Sequence, residues 1–98
     1  MRSNWNFLTN HAHVMVCLSR SPGATLREIG DQVGITERAT HRIIDDLVGA
    51  GVVEKSRQGR GNYYELNLDF PLRHPLERHG SVGQLLQAFE SAGSDPAP

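Results

Sequence analysis

The sequence predicts a mainly α (α+β) fold with a three-helix core, a two-stranded β-hairpin and a C-terminal helix. Three observations predict it. Apolar residues recur at helical spacing over most of residues 10–50. Between residues 52 and 68 the pattern changes to two short β-prone runs around a glycine-rich turn. Residues 81–91 then return to helical spacing, and a chain of 98 residues fits one domain, predicted over residues 1–91.

The first predicted helix lies within TNHAHVMVCLSRSPG. Thr9 or Asn10 supplies an N-cap side chain, and Pro22-Gly23 ends the helix. The run VMVCL alone also fits a buried strand, but the segment around it is too long for one strand. The apolar residues that precede the cap are expected to fold back onto the core: Trp5, Phe7 and Leu8.

The second predicted helix lies within ATLREIGDQVG. Thr25 caps it, and Glu28, three residues later, completes a capping box. Gly34 supplies the positive φ that ends the helix. Because Thr36 already caps the next helix, the connection is too short for an antiparallel hairpin, and we expect the two helices to cross steeply.

The third predicted helix runs from Glu37 to Ala50 and ends at Gly51. Its period places the apolar residues on one face and the polar residues on the other. The apolar face holds Ala39, Ile43, Leu47 and Ala50, and the polar face holds Arg38, His41, Arg42, Asp45 and Gly49. Either this polar face contacts a ligand, or it is a solvated helix surface.

The remaining elements follow from a change of period. Runs 52–57 and 62–68 flank QGRG and predict a hairpin. The segment DFPLRHPLERHG carries two prolines and is expected to be irregular or briefly helical. Ser81 caps a last helix over 81–91, whose apolar stripe is Val82, Leu85, Leu86 and Phe89. Residues 92–98 are expected to be a disordered tail.

Helix, helix, steep turn, helix and glycine-tipped hairpin is the order of a winged helix-turn-helix. The stretch TLREIGDQVGITERATHRIIDDLVGAGVVEKSRQGRGNYYELN resembles the DNA-binding domain of bacterial MarR- and ArsR-type regulators. The resemblance assigns the helix-turn-helix to about 25–50 and the wing to about 52–68, and it covers residues 9–68. The chain length and the terminal helices are closer to those of ArsR proteins, because MarR proteins are usually longer.

The resemblance implies a sequence-specific, double-stranded DNA-binding transcriptional regulator. In these families the third helix enters the major groove and the wing touches the backbone or the minor groove. In these families the helices at the ends of each subunit form the homodimer interface. For this chain, the resemblance implies a homodimer through the N-terminal and C-terminal helices. The resemblance therefore names double-stranded DNA and a second copy of the chain as partners.

The chemistry of the polar residues agrees with DNA contact. Arg38 and Arg42 can reach guanine edges or phosphates, and His41 can do either. Backbone N–H groups at the start of the helix can hold a phosphate, whereas Glu37 either accepts from a cytosine amino group or only complements the helix dipole. The predicted recognition-helix contacts are Thr36, Glu37, Arg38, Thr40, His41 and Arg42. The predicted wing contacts are Lys55, Arg57, Arg60 and Asn62.

The charge balance does not by itself predict nucleic-acid binding. The chain holds 10 Lys and Arg residues against 11 Asp and Glu residues. Residues 36–64 carry five basic against four acidic residues, and residues 65–98 carry two against five. Binding to DNA must therefore rest on local placement of charge. The same balance leaves open a winged helix that binds protein or RNA without reading DNA.

A metal-responsive sensor of the ArsR type is a second alternative. His13 and Cys17, four residues apart on a helix, can share an ion. The cysteine motif by which that family senses metals is missing, since LREIGDQVG contains neither Cys nor His. We therefore expect no metal and no cofactor. An enzyme is not expected either, because GAGVVEKS follows a helix rather than a strand and so does not fit a phosphate-binding loop.

The sequence also predicts where the protein resides. It has no apolar run of roughly 18 residues, and MRSNWNFLTN lacks the pattern of a secretory signal. Cys17 has no second cysteine to pair with, which fits a reducing compartment. The expected location is the cytoplasm.

Overall fold

The computed structural model describes residues 4–93, with side chains up to residue 90. Its elements, in chain order, are α1 (Asn10–Arg20), α2 (Leu26–Val33), α3 (Glu37–Ala50), β1 (Val53–Gln58), β2 (Gly61–Leu66) and α4 (Val82–Gly93). The predicted class, mainly α with a two-stranded hairpin, is confirmed. Helix α4 extends two residues beyond the predicted end, and the rest of the predicted tail, 94–98, lies outside the described residues.

The helices begin where side chains satisfy their free backbone N–H groups. Thr9, not Asn10, caps α1, because its hydroxyl oxygen accepts from the backbone N–H of Ala12 at 3.3 Å. The capping box of α2 is present: Thr25 Oγ1 accepts from the N–H of Glu28 at 3.1 Å, and Glu28 Oε1 accepts from the N–H of Thr25 at 2.9 Å. These caps fix the helix starts in the chain.

The turn between α2 and α3 brings the two helix backbones unusually close. Gly34 ends α2 with a φ of 90°, a value that glycine adopts without strain. A Cβ atom added to Gly30 would lie 2.8 Å from the carbonyl oxygen of Ile35 and 3.0 Å from Thr40 Oγ1. Only a residue without a side chain allows this approach, which fixes how α3 leaves the turn.

The two strands form an antiparallel hairpin that is tighter than predicted. Gln58 pairs with Gly61, so Gly59 and Arg60 alone make the turn. Gly59 has a φ of 61°, as the first central residue of a preferred two-residue turn requires. The N–H of Tyr64 donates to the carbonyl oxygen of Pro22 at 3.0 Å, which ties β2 to the segment after α1.

The core lies between α1 and the elements that surround it. Helix α1 packs against α2, α3, β2 and α4. The fully buried aliphatic side chains come from several elements: Val14, Leu18, Ile29, Ile44, Val82 and Leu86. Residues 67–81 are irregular, as expected, and an isolated antiparallel bridge joins Pro71 to Ser81.

The expectation that the apolar residues before α1 fold onto the core is wrong for two of the three. Trp5 is 67% exposed and Phe7 is 91% exposed, and their rings pack edge to face with centroids 5.0 Å apart. Leu8 alone is partly buried against the core. The inner face of α1 is covered by α2, α3, β2 and α4 instead.

No helix within residues 4–93 combines the length and the apolar character that a membrane span requires.

Candidate nucleic-acid interface

The first two turns of α3 present long polar side chains to solvent. Arg38, His41 and Arg42 are all exposed, whereas Ile43, Ile44 and Leu47 of the same helix are buried. Within residues 4–93, neither arginine lies within ion-pair distance of a carboxylate. Both guanidinium groups therefore keep their hydrogen-bond donors available to a ligand.

Thr40 does not belong to this exposed face, so its predicted role as a DNA contact is wrong. Its side chain is 0% exposed. The Thr40 hydroxyl donates to the carbonyl oxygen of Thr36 at 2.9 Å, and its oxygen lies against Gly30. A threonine hydroxyl can be satisfied by a carbonyl of the preceding turn, so a polar residue is accommodated on the inner face. Thr40 packs α3 onto α2.

The start of α3 offers backbone donors. Thr36 Oγ1 accepts from the N–H of Ala39 at 3.0 Å, and the carbonyl oxygen of Thr36 accepts from the N–H of Thr40. The N–H groups of Glu37 and Arg38 have no carbonyl partner one turn earlier in the helix. Together with the helix dipole they favour an anion at this end. Glu37 itself is exposed and is the acidic residue of the first turn.

The two aspartates of α3 pair with histidines rather than with Arg42. His41 Nδ1 lies 3.5 Å from Asp45 Oδ2, one turn further along the helix. His11 Nε2 of α1 lies 2.8 Å from Asp46 Oδ2. Both carboxylates lie beyond the first two turns of α3, where the arginines are.

The hairpin has one basic face. Lys55 pairs with Tyr64, and Arg57 pairs with Asn62. Residues that pair across antiparallel strands point to the same side of the sheet. Tyr64 is buried on the core side, so Lys55 and Arg57 lie on the continuation of that side toward the tip, where they become exposed. Tyr63, which is only half-buried, alternates to the other side.

The opposite face of the hairpin is acidic, a feature that the sequence analysis missed. Glu54 and Glu65 pair directly across the two strands. Both are exposed. The strand register reveals this acidic pair, because the two-residue turn at Gly59 and Arg60 fixes which residues lie opposite each other. The hairpin therefore separates its charges, with cations on the core-side face and at the tip and carboxylates on the other face.

The wing tip is open to close approach. Arg60 is exposed at the turn and stands between two glycines. Asn62, the fourth predicted wing residue, is half-buried beside it. All four predicted wing residues are thus within eight consecutive positions of one hairpin.

His13 and Cys17, the two candidate metal ligands, have other hydrogen-bond partners. The Cys17 thiol is buried and donates to Gln32 Oε1 at 3.1 Å. Burial raises the pKa of this thiol, and the positive charge of Arg20 partly offsets the rise. His13 Nδ1 lies 3.3 Å from Asn10 Oδ1. The part of the chain that the structure describes contains no group of three or more potential ligands arranged for a metal.

Solved structures share this fold. MepR, a transcription regulator of the Staphylococcus aureus multidrug efflux pump MepA, is 14% identical with a TM-score of 0.59, over 89% of this chain and 58% of its own. PcaV, a transcriptional regulator from Streptomyces coelicolor, is 20% identical with a TM-score of 0.55, over 93% and 63%. F-93 of SSV1 is 14% identical with a TM-score of 0.59, over 94% and 98%. The chain thus spans less than two thirds of the first two proteins.

The sequence comparisons identify one family. No curated protein matches the chain. The MarR family model matches residues 9–59, more than half of the 98 residues, and covers α1, α2, α3 and β1. Of the two families that the sequence resembles, the comparisons support MarR. The chain belongs to the MarR family.

Proposed function

We propose that this protein is a sequence-specific transcriptional regulator that binds double-stranded DNA through α3 and the wing. The observation that carries the proposal is the pair of exposed, unpaired guanidinium groups on the first two turns of α3. That half of a recognition helix is where side chains reach base edges in a major groove. Family membership supports the same function. Its action is binding, with no catalytic step.

Each predicted contact has a role in this proposal. Arg38 and Arg42 donate to guanine edges or to phosphates, and His41 contacts either. Thr36 and Glu37 contribute the start of α3, where backbone N–H groups donate to a phosphate. The wing contacts, Lys55, Arg57, Arg60 and Asn62, bind the backbone or the minor groove. We propose that a single domain comprises residues 1–91, with the helix-turn-helix at about 25–50.

The separation of charge explains how an overall acidic chain can bind DNA. The net charge is −1, so attraction depends on orientation rather than on total charge. The basic face of the hairpin and the arginines of α3 attract phosphates, while Glu54 and Glu65 repel them from the opposite face. The protein should therefore bind in one orientation.

We further propose that two copies of the chain form a homodimer through their N-terminal and C-terminal regions. Trp5 and Phe7 present aromatic surface to solvent, and the half-buried Phe89 of α4 lies along the same groove as Phe7. Exposed apolar surface of this kind marks interaction sites, and a domain this small gains appreciably from a partner. Val82 and Leu86 are already buried in their own subunit, so the contact surface must come from the outward residues.

Selection of bound duplexes from a random DNA pool tests both proposals together. A dimer that reads DNA should enrich a palindrome whose half-sites lie about one helical turn apart, at roughly 10 base pairs. A pool that shows no enrichment contradicts sequence-specific reading, and enrichment of a single half-site contradicts the dimer.

A separate variant tests the dimer surface. Replacing Trp5 and Phe7 by serine removes the exposed aromatic pair without touching the core. The expected result is a monomer of unchanged secondary structure by sedimentation and circular dichroism. Leu76→Ser, at an apolar residue with 88% exposure in the irregular loop, is the matched control and should leave the dimer intact.

The near-neutral charge favours one alternative, a winged helix that binds protein or RNA. DNA affinity should fall steeply with added salt. A protein-binding module should show no affinity for duplex and hence no such dependence. For the DNA-binding role, the expected compartment is the bacterial cytoplasm, where DNA is accessible.

A further inference from the structure

A depression lies between the start of α1 and the start of α3. Its volume is about 510 Å³. It is lined by Asn10 and His11 of α1 and by Thr36, Arg38 and Arg42 at the start of α3, with Ala39 and Ile43 at its base. The polar side chains of two helices thus surround one shallow site beside the recognition helix.

The depression is cationic. Two of its side chains are guanidinium groups, and no carboxylate lines it. Asp45 and Asp46 line the adjoining larger groove instead. His11 stands between the two cavities and lines both, and its Nε2 is held by Asp46 at 2.8 Å. The Asp46 carboxylate that bonds to His11 does not itself line the depression.

Further hydrogen-bond donors belong to residues that line the depression or stand next to it in the chain. Asn10 Oδ1 is taken up by His13 Nδ1 at 3.3 Å, which leaves the Asn10 amide nitrogen as a donor at the rim. The N–H groups of Glu37 and Arg38 lie in the first turn of α3, so no helix carbonyl precedes them as a hydrogen-bond acceptor. A tetrahedral anion with several acceptor oxygens matches this combination of amide, guanidinium and backbone donors.

We propose that this depression holds a phosphate of the DNA backbone, so that α1 contacts DNA through Asn10. The inference rests on the proposed DNA-binding function and adds a contact that neither α3 alone nor the wing provides. A helix that lies in a major groove is flanked by the phosphates of both strands. One of these phosphates is the proposed occupant of the depression beside α3. The open, exposed form of the site suits a phosphate delivered by a duplex better than a free anion, which must bind without neighbouring contacts.

The test replaces the Asn10 amide by a carboxylate. Asn10→Asp keeps the size of the side chain, and a carboxylate in the first turn of α1, which has no acidic residue, favours the helix. We expect the thermal unfolding midpoint to be unchanged or raised. Binding to a duplex of random sequence at low salt, followed by fluorescence anisotropy, should weaken by about three- to tenfold because the new charge repels the phosphate.

Asn67→Asp is the matched control. It makes the same amide-to-carboxylate change on an exposed side chain, after the end of β2, and keeps an acceptor for the N–H of Asp69. At about 0.1 M salt, where charges more than roughly 10 Å apart are largely screened, its duplex affinity should stay within about twofold of the parent, since Asn67 does not line the depression. Asn10→Lys is the converse variant, and it should bind duplex more tightly, with a salt dependence steeper by about one counterion.

The outcomes separate this inference from the proposed function. Equal weakening by Asn10→Asp and Asn67→Asp, or no weakening by either, overturns the α1 contact while the parent still binds duplex. A parent that does not bind duplex overturns the proposed function and this contact with it. Titration with inorganic phosphate, followed by the backbone amide signals of His11 and Arg38, distinguishes the source of the anion. Saturation at millimolar phosphate, with duplex binding insensitive to Asn10→Asp, assigns the site to a free anion instead.

Discussion

Gly30 of α2 lies in direct contact with Thr40 of α3, because a Cβ atom on Gly30 would stand 3.0 Å from Thr40 Oγ1. The same atom would stand 2.8 Å from the carbonyl oxygen of Ile35 in the turn. The orientation of α3 relative to α2 depends on this contact. The direction in which the arginines of α3 point therefore depends on two buried residues, Gly30 and Thr40.

Gly30→Ala should therefore disturb both stability and DNA binding. The added methyl group meets backbone, which cannot rotate away, so we expect a loss of about 1–3 kcal/mol in the free energy of unfolding. Urea denaturation measures it. Gly49→Ala is the control, because nothing lies within 4 Å of its Cβ position and alanine favours a helix. A Gly30→Ala protein as stable as the parent would contradict the close packing of α2 on α3.

Thr40→Val tests whether Thr40 is a packing residue. Valine keeps the shape of the side chain but removes the hydrogen bond to the carbonyl oxygen of Thr36. We expect a loss of about 0.5–1.5 kcal/mol in the free energy of unfolding. The preferred DNA sequence, determined by selection, should be unchanged. A changed base preference at one position would show that Thr40 reaches the groove after all.

The acidic pair on the outer face of the hairpin should cost stability. Glu54 and Glu65 are directly opposite each other. Glu65→Gln removes their repulsion, and we expect a gain of roughly 0.2–1 kcal/mol in the free energy of unfolding at low salt, diminishing as salt is added. Glu77→Gln, on the irregular loop, serves as the charge-matched control. An equal gain in both variants would attribute the effect to net charge and not to the strand register.

Arg42 and Arg60 should differ in what they contribute to binding. If Arg42 reads a base, Arg42→Ala costs about 1–3 kcal/mol of binding free energy and relaxes specificity at one position of the site. Arg60→Ala should weaken binding to all sequences alike and reduce the salt slope by about one. Affinities for a selected duplex and for a scrambled duplex measure both effects. If both variants bind like the parent, the assignment of α3 and the wing to DNA is wrong.

The local elements could be predicted from the sequence because their signals are local. Thr25 and Glu28 form the expected capping box, and Gly34 and Gly51 end α2 and α3 with positive φ. The order of helices and hairpin followed from these signals together with the change of period. Capping and turn chemistry depend on residues within a few positions of one another, which a single sequence displays directly.

What depended on packing could not be predicted. Thr40 lies one helical turn before the buried Ile44, but its polarity concealed its place on the inner face. Trp5 and Phe7 are of residue types that are common in protein cores, yet both are exposed, and other elements cover the inner face of α1. The contact between His11 and Asp46 joins residues 35 positions apart, so no local pattern announces it. The residues assigned to DNA remain predictions, since only a complex or a binding experiment tests them.

The salt dependence of duplex binding tests the central claim most directly. The parent protein is mixed with a fluorescent duplex that carries its selected sequence, and the dissociation constant is measured from about 50 to 200 mM salt. Two subunits that use the arginines of α3 and the cations of the wing should lose on the order of a thousandfold in affinity over this range. A dissociation constant that stays flat, or no binding at the lowest salt, would contradict the account.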